Sequence, residues 1–418
     1  MRQWMVAAKK ADFYAIAEKF HVDPVVARII RNREVIGEKN IRIYLGGNLS
    51  DLSDPHQMKD MDRLVEILAQ KIRKQVHIRI IGDYDVDGVT SSHLFLTALR
   101  RVGAKVDVVI PHRIQDGYGL SLHLLQQAKE DGVDTILTCD NGIAAIDEIA
   151  WAKAQKMTVL VTDHHAVPFE EHEGRRTEKK SLADAVVNPH QQDCGYPYKE
   201  LCGAGVAWNV IRVLYENYDM DKREAEDLLD FVAMATVCDV MSLTGENRIL
   251  VKEGLKRIRH TKNIGLQALM QACNVQPENI SAYHFGYVLG PCVNATGRLD
   301  TARHALRLFE TGQETEAEEI ARDLVDLNQE RKELTLQGVE MAKKLCEEGG
   351  YENDPVLVLF LPDVHESIAG LIAGRIREMY NRPVFVLTRG EEGVKGSGRS
   401  TENYSMYELS LIHISEPT

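Results

Sequence analysis

The chain has 418 residues, is 44% hydrophobic and 27% charged, and carries a formal net charge of −13. Those values describe an ordinary globular chain long enough for two or three domains, and they argue against a protein that coats nucleic acid through a nonspecific basic surface. No run of about 18 apolar residues occurs, so no membrane-crossing helix is predicted. Met1-Arg2-Gln3-Trp4-Met5 is followed by charged residues instead of the apolar core of a signal peptide. The cysteines are scattered singly, without a Cys-x-x-Cys pair. That usage fits reduced thiols in the cytoplasm better than a disulfide framework or a zinc site.

Residues 1–75 are predicted to be mostly helical, with a helical period from Met58 to Arg73 that leads into a first strand. Strands are then predicted at Val76–Ile81, Val106–Pro111, Thr135–Cys139, Thr158–Thr162 and Ala185–Val187. Helices are predicted between them at Thr90–Val102, Ser121–Glu130 and Ile143–Gln155. Such alternation implies right-handed crossovers and a mainly parallel sheet covered on both faces. Leu201–Tyr215, Lys222–Val237 and Glu246–Met270 read as helices. Gln313–Glu348 reads as one long, charged connecting helix between two domains. A second α/β unit starts at Pro355, with strands at Val356–Leu361 and Pro383–Leu387 around a helix at Ser367–Tyr380. It is short for an independent core.

Three polar clusters follow apolar runs directly: Gly82-Asp83-Tyr84-Asp85-Val86-Asp87-Gly88, Cys139-Asp140-Asn141-Gly142 and Asp163-His164-His165. Ligands of open parallel sheets bind at the carboxyl ends of the strands. Carboxylates and imidazoles arriving there from three strands would converge and suit divalent cations such as manganese or magnesium. If the chain stays extended, Asp83, Asp85 and Asp87 point to one side and repel one another without cations. A solvated acidic loop capping a helix is the plainer alternative. Adjacent residues of a strand face opposite ways, so one of His164 and His165 is expected on metal and the other toward substrate, with Asp163 orienting an imidazole. Two such ions suit phosphoester or phosphoanhydride hydrolysis. No Gly-x-x-x-x-Gly-Lys-Ser/Thr loop is present, which argues against nucleotide-driven motor chemistry. Lys395-Gly396-Ser397-Gly398-Arg399-Ser400 offers amides, hydroxyls and a guanidinium for an anion, or forms a glycine-rich hairpin turn. Arg298 in Asn294–Leu299, and Arg113 just past the second strand, are further phosphate candidates, or surface ion-pair residues.

In this order the motifs resemble the DHH phosphoesterase superfamily and, within it, the RecJ type of single-strand-specific exonuclease, in its Gram-positive, clostridial form. The likeness also rests on Ala235–Val240, Gly290–Leu299 and His365-Glu366-Ser367-Ile368-Ala369-Gly370, and runs from roughly residue 10 to 409. It implies an α/β protein: an N-terminal helical segment at 1–75, a parallel-sheet DHH domain at 76–310, a connecting helix at 311–350, and a smaller, incomplete DHH-associated domain at 351–409 that closes over the cleft. It implies 5′-to-3′ hydrolysis of single-stranded DNA to 5′-mononucleotides in DNA repair and recombination, with two Mn2+ or Mg2+ ions. Asp83, Asp85, Asp87, Asp140, His164 and Asp239 match metal positions. Asp163 and His165 complete the catalytic motif with His164. Arg113, Arg298, His365, Ser397, Gly398 and Arg399 match the substrate-binding side. A helicase and a single-strand-binding protein are partners implied by the resemblance alone.

Relatives of this kind continue into an OB-fold for single strands, whereas the likeness here ends near Glu408-Leu409. The tail Ser410–Thr418 resembles translated sequencing-adapter read-through, so the chain is expected to be a fragment with an intact metal site and weakened strand binding. The alternative activity is a DHH phosphodiesterase for short oligonucleotides or cyclic dinucleotides. A non-enzymatic scaffold on the same fold would lack several of the acids that are present.

Overall fold

The computed structural model describes residues 9–406 except 115, 118, 173–174 and 391–392. Glu408, Leu409 and the predicted tail at 410–418 lie outside the described residues. The chain forms two compact units. The first runs to Val293 and includes Ala302–Ala321; the second takes Asn294–Thr301 and the chain from Arg322 onward.

The first unit begins with helices α1 (Phe13–Phe20), α2 (Pro24–Asn32), α3 (Glu38–Gly46) and α4 (Met61–Arg73). Asp12 and Asp23 cap α1 and α2 by accepting from Ala15 N and Val25 N. The sheet follows: β1 (Ile78–Ile81), β2 (Val106–Val109), β3 (Thr135–Cys139), β4 (Thr158–Thr162) and, after a hairpin of β5 (Phe169–His172) and β6 (Arg175–Glu178), β7 (Ala185–Val187). Its order is β2-β1-β3-β4-β7, every pair parallel. Helices α5 (Val86–Arg101), α6 (Leu122–Glu130) and α7 (Ile146–Ala154) supply crossovers. The central strands are buried on both faces, which is why they read as continuous apolar runs.

Beyond the sheet lie α8 (Gly203–Asn217), α9 (Lys222–Glu226), α10 (Leu229–Cys238), α11 (Gly245–Arg257), α12 (Ile264–Ala272) and α13 (Ala282–His284). A π-helical turn at Phe285–Leu289 joins α13 to α14 (Gly290–Leu299), and α15 is Arg303–Glu310. Two predicted helices are each divided. The first breaks at Asp227-Leu228, so that α10, apolar on almost every side, is buried while α9 keeps only Ala225 inside. The second ends at Arg257, and α12 restarts where the Asn263 side chain accepts from Leu266 N.

Helix α16 spans Glu314–Gly349 without a break. In the second unit its later part packs Val339, Ala342 and Cys346 into a core with β8 (Leu357–Phe360), α17 (Ala369–Tyr380) and β9 (Val384–Gly390). The segment for which a glycine-rich hairpin turn is the alternative reading is a full strand, β10 (Gly393–Arg399), antiparallel to β9. A Cβ at Gly396 would lie 2.8 Å from the Val386 carbonyl, so glycine there permits close pairing in the sheet.

Candidate metal centre

The register carries the strand ends to one edge. Ile81 lies beside Thr138, Cys139 beside Thr162, and Thr162 beside Val187. Asp83, Asp140 and Asp163 therefore leave adjacent strands together. A Cβ at Gly88 would sit 2.5 Å from the backbone N and O of Asp83, so glycine lets the turn close onto α5.

The acidic cluster is not an extended strand end, and the predicted alternation of Asp83, Asp85 and Asp87 does not hold. Asp85 is the N-cap of α5 and accepts from Gly88 N at 3.0 Å, so the helix starts at Val86 and Asp87 lies in its first turn. Asp87 accepts from Gly203 N at 2.6 Å and Ala204 N at 2.8 Å, at the amino-terminal end of α8. This support was missed in the sequence; the small-residue run Gly203-Ala204-Gly205 is its trace. A Cβ at Gly203 would come within 2.6 Å of the Asp140 Cβ. Asp140 itself adopts φ of 62°, a left-handed conformation that turns its carboxylate back into the site.

β4 ends at Thr162, so Asp163, His164 and His165 lie past the strand and its alternation no longer separates the two histidines. Their rings are 4.4 Å apart, and both approach Asp140. His164 Nε2 lies 3.0 Å from Asp140, 3.6 Å from Asp87 and 3.7 Å from Asp239, which follows α10. Asp163 receives Ile143 N on one oxygen and His164 N, His165 N and His165 Nδ1 on the other, and so orients His165.

Three overlapping sets bring ligand atoms within 4.8 Å of one another: Asp83, Asp85 and Asp140; Asp87, His164 and Asp239; and Asp140, His164 and His165. Burial, then Asp85, pushes the Asp83 carboxyl up to about 8. Burial, then Asp87, does the same for Asp239, and raises Asp85 and Asp140 as well. Burial opposes ionisation of Asp163 too, yet the His165 hydrogen bond holds it below the usual carboxylate range. That bond raises His165 to about 9. Among the described residues, Asp83 Oδ1 is buried without a hydrogen-bond partner. Buried like charges and orphaned lone pairs are what divalent cations offset, and the oxygen-rich donor set suits hard ions of the Mg2+ and Mn2+ kind.

The remaining candidates divide between the units. Arg113, in the first, lies over the Tyr84 ring at 4.7 Å. The second unit gathers the others: Arg298 Nη1 donates to the Ser367 carbonyl at 2.8 Å, and His365 Nδ1 is 2.6 Å from Ser367 Oγ. Arg399 donates to Ser397 Oγ at 3.1 Å and to the Gly398 carbonyl at 2.9 Å. A Cβ at Gly370 would lie 2.8 Å from both Ser397 Oγ and Arg399 Nη2. Ser397, Arg399 and the start of α17 therefore form one small polar cradle.

A parallel sheet with this acidic edge defines a DHH-domain protein, and the profile of the DHH family, N-terminal domain, matches residues 77–236. The chain is 36% identical over 409 residues to the single-stranded-DNA-specific exonuclease RecJ of Haemophilus influenzae, covering 94% of this chain and 69% of that one. It is 33% identical to RecJ of Bacillus subtilis, over 94% of this chain and 48% of that one. The chain belongs to the RecJ family. It spans about half of the Bacillus subtilis relative's length. Among solved structures, an exonuclease RecJ bound to manganese aligns with a TM-score of 0.71 at 32% identity, covering 84% of each chain. RecJ of Thermus thermophilus in complex with Mg2+ aligns with a TM-score of 0.71 at 28% identity, over 95% of this chain and 52% of that one.

Proposed function

We propose that this chain is a metal-dependent exonuclease that hydrolyses single-stranded DNA from its 5′ end to 5′-mononucleotides, in repair and recombination. The observation that carries the reading is the set of overlapping ligand groups, with Asp140 and His164 each shared between two of them. Sharing of this kind suits a pair of ions, and the names of the relatives supply the substrate class.

In this reading Asp83, Asp85, Asp87, Asp140, His164 and Asp239 hold Mn2+ or Mg2+. Such ions, when bound, generate a nucleophile from water and neutralise charge on the phosphoryl oxygens. The chain's own residues do the remainder. The amides of Gly203 and Ala204 fix Asp87. Asp163 fixes His165, whose imidazole can place a positive charge beside a phosphoryl oxygen or pass a proton to the leaving 3′ oxygen. Arg113 offers a guanidinium to the nucleic-acid backbone. In the second unit Arg298, His365, Ser397, Gly398 and Arg399 grip phosphate. The substrate is single-stranded DNA with a 5′ end, and a helicase and a single-strand-binding protein are its proposed partners. A cytoplasmic location is proposed from the free thiols of all seven cysteines.

The test is digestion of 5′-labelled and 3′-labelled single-stranded DNA with Mn2+, in the presence and absence of chelator. Early release of the 5′ label, abolished by chelator, is expected. Release of the 3′ label first, or activity that survives chelation, would overturn the reading. Faster turnover of dinucleotides than of long strands would favour a short-oligonucleotide phosphodiesterase.

A further inference from the structure

Where the sheet of the first unit ends, side chains take over from the backbone ladder. The pairing of β1 with β3 stops at Ile81 and Thr138. The next amide of β1, Gly82 N, donates to the Val109 carbonyl of β2. Past these points the two chains diverge, one to Asp83 and the other to Asp140, yet ligand oxygens of Asp83 and Asp140 come within 4.8 Å of one another. Asn141 spans the gap. Its Nδ2 donates to the Ile81 carbonyl at 3.1 Å and to the Cys139 carbonyl at 2.9 Å, so both amide hydrogens are used.

The residue is buried and held on its backbone as well. Thr138 Oγ1 donates to the Asn141 carbonyl at 2.8 Å. Gly142 follows at φ of 106°, where an added Cβ would lie 2.7 Å from the same Thr138 Oγ1. The turn from Thr138 to Gly142, which carries Asp140 in its left-handed conformation, is thus closed on itself and tied to β1 by one side chain. Other gaps along this edge are bridged in the same way. Thr162 Oγ1 donates to the Thr138 carbonyl at 2.8 Å, and Asn188 Nδ2 donates to the His165 carbonyl at 2.9 Å. Of these bonds, that of Asn141 to Ile81 joins the strand leading to Asp83 to the strand leading to Asp140. Filling of space does not account for an asparagine here. Among the described residues, Asn141 Oδ1 is buried with no hydrogen-bond partner, a cost that a leucine of similar size would not carry.

We propose that Asn141 is a positioning residue for the metal centre: its amide holds the ends of β1 and β3 together and so sets the separation of Asp83 and Asp140. The inference rests on the metal-dependent reading above. Without a cation the two carboxylates repel each other, and they do so just where backbone pairing has stopped. The amide opposes that spreading with two hydrogen bonds in a buried setting, where such bonds are stronger than in water. The group of Asp87, His164 and Asp239 has other supports, namely the amides of α8 and the end of α10. Loss of the Asn141 amide therefore weakens the hold on one ion and spares the other.

The test is calorimetric titration of Mn2+ into the full chain, without DNA. Asp83→Asn and Asp239→Asn identify the two binding steps by the one each removes. Asn141→Ala should weaken the step lost in Asp83→Asn by about 10- to 100-fold, the scale for removing a group that orients metal ligands, and leave the step lost in Asp239→Asn unchanged. Asn141→Ser keeps one donor, which can serve only one of the two carbonyls, and should weaken the same step; it decides the matter if the alanine variant does not fold by circular dichroism. Asn188→Ala, which frees the His165 carbonyl instead, should leave the Asp83 step unchanged. Unaltered affinity at the Asp83 step in the Asn141 variants, or an equal fall in both steps, would overturn the proposal. So would the same loss in Asn188→Ala, which would make Asn141 one of several general supports of the sheet edge. In each of those cases the wild type still binds two ions, and the metal-dependent reading stands. Failure of the wild type to bind two Mn2+ ions would overturn that reading and the proposal with it.

Discussion

Asp140 is the residue on which the proposed metal centre turns. It accepts a left-handed backbone, sits 3.0 Å from His164 Nε2 and is backed by Gly203. Replacing it by asparagine should lower nuclease activity by more than about 100-fold, the scale for removing a group that organises a metal site. In chelator the same variant should melt higher than wild type, because one buried like charge is gone. Addition of Mn2+ should raise the melting temperature of the wild type by more than that of the variant, which keeps only the set of Asp87, His164 and Asp239 intact. Scanning calorimetry of both proteins in both buffers checks this. Gly203→Ala tests the support behind the ligands. Its added Cβ would press on Asp140 at 2.6 Å and shift the amides that hold Asp87. A displacement near 1 Å costs about 100-fold in rate, so labelled-strand digestion should fall by that order while circular dichroism stays that of the native fold.

Helix α5 is the element that links the centre to the rest of the first unit. Its amino-terminal end carries Asp85 and Asp87, and its middle is buried on every side. The close approach of Gly88 to the Asp83 backbone predicts that Gly88→Ala destabilises the protein by about 1–3 kcal/mol, the usual cost of overpacking. Urea unfolding in chelator measures it. Farther along, burial, with Arg100 nearby, pushes His93 down to about 3. The folded protein thus leaves this ring neutral while the unfolded chain protonates it below its ordinary value near 6.5. A lowered histidine pKa makes stability fall as pH drops through 6.5. At pH 5 the loss is about 2 kcal/mol relative to pH 7. The difference in urea unfolding free energy between pH 7 and pH 5 should shrink by that amount in His93→Leu. This acid sensitivity could not be read from the sequence, because nothing local distinguishes a histidine inside α5 that faces Phe231 and Phe309 from one that faces water.

At the scale of the molecule, the −13 charge governs how nucleic acid is engaged. Strand binding must come from few cations, so the salt dependence should be shallow. Each phosphate contact on a single strand contributes a slope of about −0.7 in the logarithm of affinity against the logarithm of salt. Arg399→Ala, which removes one guanidinium from the cradle in the second unit, should make the measured slope less steep by about that amount. By itself the sequence determined the central strands, the order of the motifs, the long helix α16 and the identity of the acidic and histidine clusters, because buried strands and helices declare themselves through local period and apolar runs. Only the tertiary structure decided that Asp85 caps a helix, that His164 and His165 both leave the strand and turn toward Asp140, and that the segment at Gly393–Arg399 is a strand. The same holds for the amides of α8 beneath Asp87, 116 and 117 residues away along the chain. Those features depend on contacts between segments far apart in sequence, and a local pattern carries no record of what packs against it.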